Sequence, residues 1–237
     1  MPHGGQYDYL QLKAWDLLEK FLITNGNYSA ILANPTRLAE HNINKIYLRD
    51  RNLPIEIFRA FLKLKNVEIF VNRSDSPEIL AHKNIHLKSD ELHLAGELKN
   101  MDCYDLPLAS LAMTDSGAKS LDSANRAKNL DSALDSANFA ESYSQNLPKI
   151  LSYSAHSLDD ILNAHKAKID YIFISPIFAA ENKNSPLGID FIKQIPREIK
   201  PKIFALGGIN ANNIKAFENL GIAGIAGIRI FSALFNK

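Results

Sequence analysis

The chain of 237 residues carries a formal net charge of +1 and is 46% hydrophobic. That near-neutral balance argues against nucleic acid or an anionic membrane surface as a main partner, and no apolar run approaches the roughly 18 residues that span a bilayer. Its one cysteine, Cys103, excludes an internal disulfide and a cysteine-rich zinc site, and Met1-Pro-His-Gly-Gly-Gln6 lacks the basic and apolar regions of a secretion signal, so the cytoplasm is the expected compartment.

In chain order, apolar residues first recur at helical spacing from Leu10, with Leu10, Ala14, Leu17 and Leu18 on or near one face. This predicts a helical extension within residues 1–20. Phe21-Leu-Ile-Thr24, Lys45-Ile-Tyr-Leu48, Val67-Glu-Ile-Phe-Val71 and Ile85-His-Leu87 are strand candidates, with helices between them. One helix runs from Pro54 to Leu64, with proline suited to its first position. After residue 148 the same beat returns. Strand Lys149–Tyr153 precedes a helix opened by Ser157 as N-cap with Asp159 and Asp160 in its first turn. Strand Tyr171–Ser175 leads to a helix near Phe191–Ile195, and strand Lys202–Leu206 to Gly207-Gly208 and a helix over Ala211–Leu220. Strand Ala226–Ile230 closes the series, leaving room only for a stub helix, Ser232–Phe235.

Short apolar strands alternating with helices imply parallel βα units buried on both faces. Four such units before residue 100 and four after residue 148 predict one (β/α)8 TIM barrel, a single domain over residues 1–237. The N-terminal helix would then cover the barrel bottom or the gap beside the stub. Residues 101–146 interrupt the pattern. They hold the near-repeats Leu121-Asp-Ser-Ala-Asn125, Leu130-Asp-Ser-Ala133 and Leu134-Asp-Ser-Ala-Asn138, too short for a structural repeat. Rich in Ser, Ala, Asp and Asn, this segment can bury little surface. It is expected to be a surface insertion, disordered or weakly helical, with a small helical hairpin as the alternative.

Reactive groups of such barrels sit at the C-terminal strand ends. There the sequence offers Arg49, Asp50 and Arg51, then Asn72-Arg73, Lys88 through Glu91, Ser154 and His156, Asn182-Lys183, Gly207-Gly208, Arg229 and Ser232. Cations gathered on one rim of a nearly neutral protein suit a phosphate or pyrophosphate ester, or are a solvated rim of scattered charges. Gly207-Gly208 lets backbone amides approach an anion, helped by the following helix and by Ser232 opening the stub, or is simply a tight turn. Arg229 would add a planar fork. His156 is a candidate proton carrier, since histidine titrates near neutrality, or a hydrogen-bonded structural residue. His82 and His86 are four apart, but a helix-to-strand break between them rules out a helical metal pair. Nothing points to a redox cofactor.

The set Leu48-Arg-Asp-Arg51, Val71-Asn-Arg73, Ile85-His-Leu-Lys-Ser-Asp-Glu91, Ser154-Ala-His156, Tyr171-Ile-Phe-Ile-Ser-Pro-Ile-Phe178, Lys183 and Leu206-Gly-Gly-Ile209 resembles the thiamine phosphate synthase/TenI family. The resemblance runs from about Phe21 to Phe235, skipping the insertion. It implies a TIM-barrel transferase that joins hydroxymethylpyrimidine diphosphate to a thiazole phosphate with release of pyrophosphate and Mg²⁺ help. On that resemblance Arg49 and Arg51 would face the diphosphate, Asn72 the pyrimidine or its diphosphate, and Ser154 and Lys183 the leaving pyrophosphate. Gly207, Gly208 and Ser232 would hold the thiazole phosphate. The TenI branch implies instead a thiazole tautomerase using His156, and a third option is a non-catalytic thiazole- or thiamine-phosphate-binding protein. In each case the partners are small phosphorylated molecules, with oligomeric state open.

The chain departs from the family pattern at several positions. Arg73 stands where an aspartate holds Mg²⁺, and Glu91 replaces a second aspartate and would be the remaining metal ligand, unless adjacent Asp90 serves. Tyr47 stands for a glutamine, Arg51 for a lysine, Ala180 and Asn182 for threonines, and Arg229 for a small residue. A guanidinium in place of a carboxylate reverses the charge offered to a hard cation. Arg73 would then itself stabilise the diphosphate leaving group.

Overall fold

A computed structural model describes residues 13–26, 28–73, 76–100, 149–180 and 185–235. The expected insertion at 101–146 lies outside the described residues. Eight strands, β1 (Glu19–Ile23), β2 (Ile43–Leu48), β3 (Glu68–Asn72), β4 (Asn84–Leu87), β5 (Ile150–Ala155), β6 (Tyr171–Ile174), β7 (Ile203–Leu206) and β8 (Gly224–Gly227), pair in sequence order. Every pairing is parallel, and β8 returns to β1 with Gly224 opposite Glu19. The fold is therefore a closed (β/α)8 barrel, as the strand–helix alternation predicts.

Both strand faces are buried, so the strands read as apolar runs. One set of side chains, including Leu22, Ile46, Val71, Ile85, Leu151, Ile172 and Ile203, packs outward with the helices. The alternate set fills the barrel: Phe21, Ile23, Tyr47, Phe70, Phe173, Phe204 and Ala226. Phe21 sits centrally, with ring centroids at 4.9 Å from Phe70, 4.8 Å from Phe173 and 5.4 Å from Phe204. Such tilted and edge-on aromatic pairs contribute about 0.5–1.5 kcal/mol each beyond area burial. At the N-terminal end, Lys45 pairs with Glu19 at 2.6 Å and lies 5.3 Å from the Tyr171 ring centre. Burial, with the carboxylates of Glu68, Glu19 and Asp170 nearby, pushes the Tyr171 phenol up to about 12.

Helices α1 (Lys13–Leu17), α2 (Tyr28–Ala33), α3 (Thr36–Glu40), α4 (Ile55–Leu62), α5 (Pro77–Ala81), α6 (Ala95–Asn100), α7 (Leu158–Lys166), α8 (Ile189–Gln194) and α9 (Arg229–Ser232) accompany the strands. Ser157 caps α7 as expected, its hydroxyl accepting the Asp160 N–H at 3.1 Å. Pro54 precedes α4 as its N-cap residue. Among the described residues no helix is long and apolar enough to cross a membrane.

Four expectations change. The helix over Ala211–Leu220 is a 3₁₀ turn, Ile214–Phe217. Asn210 and Asn213 exchange side-chain bonds with the backbone here: Asn213 Oδ1 accepts the Asn210 N–H, and Asn210 Oδ1 accepts the Asn212 N–H. Local bonds of this kind compete with helix formation. Strand β8 stops at Gly227 rather than Ile230. A Cβ at Gly227 would lie 2.5 Å from Ile230 Cγ2, because the chain folds sharply back there. Consequently Arg229 is not a strand residue but starts α9, and Ser232 ends that helix instead of opening one. Finally, Leu17 is 69% exposed. Leu18 is buried as expected, and Trp15 of α1 is buried with it, 5.8 Å from the Phe231 ring, so α1 covers the gap beside the stub.

Candidate functional site at the barrel mouth

Inward positions at the C-terminal ends of β2 to β5 carry polar groups. Tyr47 Oη donates to Asn72 Oδ1 at 2.6 Å, and Asn72 Nδ2 donates to the Arg49 carbonyl at 2.5 Å. The Arg49 amide donates to Thr24 Oγ1 at 3.2 Å. Asn72 is buried, so its amide is committed to holding the β2 loop. Burial also raises the Tyr47 phenol well above its ordinary value, so it stays a donor. Asp50 accepts from Tyr28 Oη, which ties the same loop to α2. Arg49, Arg51 and Arg73 are exposed around these anchors.

His86 on β4 is fully enclosed. Its Nδ1 lies 2.9 Å from Ser152 Oγ and its Nε2 lies 3.0 Å from Ser154 Oγ. The ring stacks on Phe173 at 5.1 Å and lies 4.3 Å from Tyr47. Burial, helped by the Lys88 charge, pushes it down to about 3. The opposite wall, from β1, β7, β8 and the residue that follows β8, is apolar: Ile23, Leu206, Ala226 and Ile228. One half of the mouth thus offers hydrogen bonds and cations, and the other offers hydrocarbon.

The other expected residues fall on the same rim. His156 is exposed, its backbone N–H donating to Asp160 at 3.0 Å and its Nδ1 lying 3.0 Å from the Ser175 carbonyl. With Nδ1 donating, Nε2 is the nitrogen available for proton exchange. Gly207 and Gly208 adopt φ of 97° and 68°. A Cβ on Gly207 would sit 2.8 Å from Pro176 Cβ, and one on Gly208 2.7 Å from the Ala179 carbonyl. Glycine is therefore required here by the close approach of the 176–179 segment, which also bonds back through Phe178 N–H to the Gly207 carbonyl at 3.1 Å. Ser232 lines a small pocket with Thr24, Ile23 and Ile228, and its hydroxyl donates to the Arg229 carbonyl at 3.3 Å. Arg229 is exposed. Lys183 and Asn182 lie outside the described residues.

The donor set does not fit a carboxylate-held Mg²⁺. One Glu91 oxygen accepts the Lys88 N–H at 2.9 Å, and Arg73 is exposed directly after Asn72. Among the described residues no three His, Cys, Asp or Glu side chains gather as a metal site.

His86 and Ser152 belong to the site although the sequence pattern does not single them out. The available signal was Ser152-Tyr-Ser154, whose two-residue spacing puts both hydroxyls on one face of β5, beside a histidine at an inward place on β4. A prediction follows from the buried histidines. His82, which bonds the Ile69 carbonyl at 2.6 Å, is pushed down to about 4 by burial. A base whose folded pKa is depressed stabilises the fold above its unfolded value of about 6.5, and that stability is lost as pH falls towards the folded value. Urea midpoints should therefore drop between pH 7 and 4.5, and His86→Gln should flatten that slope. An identical slope in the variant would show that His86 does not titrate on unfolding.

Fold and mouth together define a (β/α)8 barrel with its polar and cationic groups collected at the C-terminal end. The resemblance to the thiamine phosphate synthase/TenI family is borne out: residues 135–231 match the model described as thiamine monophosphate synthase. A thiamine-phosphate synthase of Prochlorococcus marinus is 42% identical over 80 residues, covering 33% of this chain and 23% of the relative. A putative thiamine-phosphate synthase 2 of Aquifex aeolicus is 37% identical over 84 residues, covering 35% and 45%. The chain thus spans less than half the length of these curated relatives. Among solved structures, thiamine phosphate pyrophosphorylase from Pyrococcus furiosus superposes with a TM-score of 0.53 at 18% identity, covering 94% of this chain and 90% of that one. An HpcH/HpaI aldolase from Desulfitobacterium hafniense gives 0.54 at 8% identity, covering 89% and 86%. These two likenesses establish the barrel fold.

Proposed function

We propose that the chain is a thiamine phosphate synthase-like transferase, joining hydroxymethylpyrimidine diphosphate to a thiazole phosphate and releasing pyrophosphate through an altered anion site. The observation that carries this reading is the family match over residues 135–231, which includes Ser154, His156, Lys183, Gly207 and Gly208. The divided mouth supports it, because a heteroaromatic phosphate ester needs both an apolar wall and anion donors. In this reading Arg49, Arg51 and Arg73 take charge developing on the departing diphosphate, with Ser154 and Lys183 contacting it. Gly207, Gly208, Arg229 and Ser232 surround the thiazole phosphate. Because the donors at the mouth do not fit a carboxylate-held Mg²⁺, Glu91 keeps its bond to the Lys88 N–H in this reading and the arginines carry the diphosphate charge.

The test supplies both substrates with and without Mg²⁺ and measures pyrophosphate. Release is expected in both conditions, and its absence at high protein concentration would sink the transferase. A second reading, a TenI-like thiazole tautomerase, is favoured by one geometric fact: the Nδ1 contact of His156 with the Ser175 carbonyl fixes the ring and presents Nε2. His156→Ala should then abolish tautomerisation. Calorimetric binding of thiazole phosphate without turnover in either assay would leave a non-catalytic phosphate-ester-binding protein.

A further inference from the structure

We propose that His86 is a positioning residue, held by Ser152 in the tautomer with hydrogen on Nε2, that fixes the Ser154 hydroxyl as a donor aimed into the barrel mouth at an anionic ligand oxygen. The proposal deepens the anion-site reading and rests on it for the identity of the ligand. The order of bonds follows from burial. Ser152 is fully enclosed, and its hydroxyl has His86 Nδ1 as its partner at 2.9 Å. A buried hydroxyl that withheld its hydrogen from that nitrogen would leave a donor unsatisfied. Ser152 therefore donates to Nδ1, and Nε2 carries the ring hydrogen and donates to Ser154 Oγ across 3.0 Å.

Ser154 then keeps its own hydrogen for a further acceptor. It is half-buried near the mouth end of β5, on the inward face it shares with Ser152. The imidazole cannot swing away, being clamped between Tyr47 at 4.3 Å and Phe173 at 5.1 Å. It also stays neutral, since burial and Lys88 disfavour its cation. His86 thus acts as a fixed dipole that orders Ser152, the imidazole and Ser154 in one direction, with the donor end at the mouth.

Two measurements test this. In a ¹H–¹⁵N long-range correlation spectrum of the full chain at pH 7, His86 should show the proton on Nε2. A proton on Nδ1, or a doubly protonated ring, would overturn the assignment. Binding of inorganic pyrophosphate, followed by calorimetry with and without Mg²⁺, tests the consequence. Ser154→Ala and His86→Phe should each weaken binding about tenfold or more, and combining them should cost little extra because both remove one donor. His86→Gln, whose amide nitrogen can reach the Nε2 position, should retain most of the affinity. Wild-type affinity in a folded His86→Phe variant would overturn the proposal, because the ring alone would then suffice. If the wild-type chain binds no pyrophosphate, the anion reading falls, while the spectrum still decides the tautomer.

Discussion

Replacing Gly224 by alanine is expected to open the barrel and unfold the chain at low denaturant. Gly224 lies at the closing seam, opposite Phe204 on β7 and Glu19 on β1. A Cβ there would fall on the Glu19 carbonyl oxygen and within 2.7 Å of its carbonyl carbon. These are backbone atoms within a parallel ladder, where Glu19 N–H also donates to the Ala223 carbonyl at 3.1 Å. No flexible side chain can yield, so β1 and β8 must separate. Overpacking that side chains can absorb costs about 1–3 kcal/mol. Here the cost should exceed about 4 kcal/mol, a large share of the roughly 5–15 kcal/mol that holds a domain together. Gly96→Ala is the control. Gly96 is an exposed residue inside α6 with nothing within 4 Å of the added carbon, so that variant should gain about 0.5–1 kcal/mol. Urea unfolding followed by Trp15 fluorescence reads both. Equal midpoints for Gly224→Ala and wild type would mean that the seam tolerates a side chain.

The contrast between these two glycines shows where sequence reasoning succeeds and stops. Strand identity was legible because β-branched and aromatic runs recur with helical segments between them. Which side of each strand faces the barrel was not, since burial on both faces removes the polar–apolar alternation that marks an inside. His86 consequently looks like an ordinary strand residue although it anchors Ser154, and Tyr47 is marked only by its departure from the family pattern, not by its bond to Asn72. Ser157 as a helix cap was readable because capping is local chemistry. The end of β8 was not, because it depends on Ile230 folding back over Gly227. Gly207-Gly208 reads from sequence as an anion-binding turn or a tight connection, and neither reading contains the packing that fixes it. Its glycines are demanded by the 176–179 segment from the neighbouring strand, a contact about thirty residues distant in the chain.

Asn72→Asp is the substitution expected to separate the anchoring of the rim from its charge. In the wild type the Asn72 amide accepts from Tyr47 with oxygen and donates to the Arg49 carbonyl with nitrogen, at 5% exposure. An ionised carboxylate in the same place keeps the Tyr47 bond but turns a second oxygen on the Arg49 carbonyl, at a site closed to water. Leaving that acceptor unpaired against a buried charge should cost about 3 kcal/mol at pH 7. The protonated acid, by contrast, can donate to the Arg49 carbonyl much as the amide does. Its folded-state pKa must then lie above the unfolded value of about 3.9, and the folded state binds more protons than the unfolded state between the two. Stability relative to wild type therefore rises as pH falls through the folded value and is regained below the unfolded one. Urea midpoints of the two proteins should converge between pH 7 and 4, and a gap independent of pH would show that the Asn72 nitrogen does not hold the Arg49 carbonyl. Because Arg49 and Arg51 hang from this anchor, pyrophosphate affinity of the variant should recover over the same range in which its stability does. Were the rim arginines held independently of Asn72, affinity would instead stay level while stability changed.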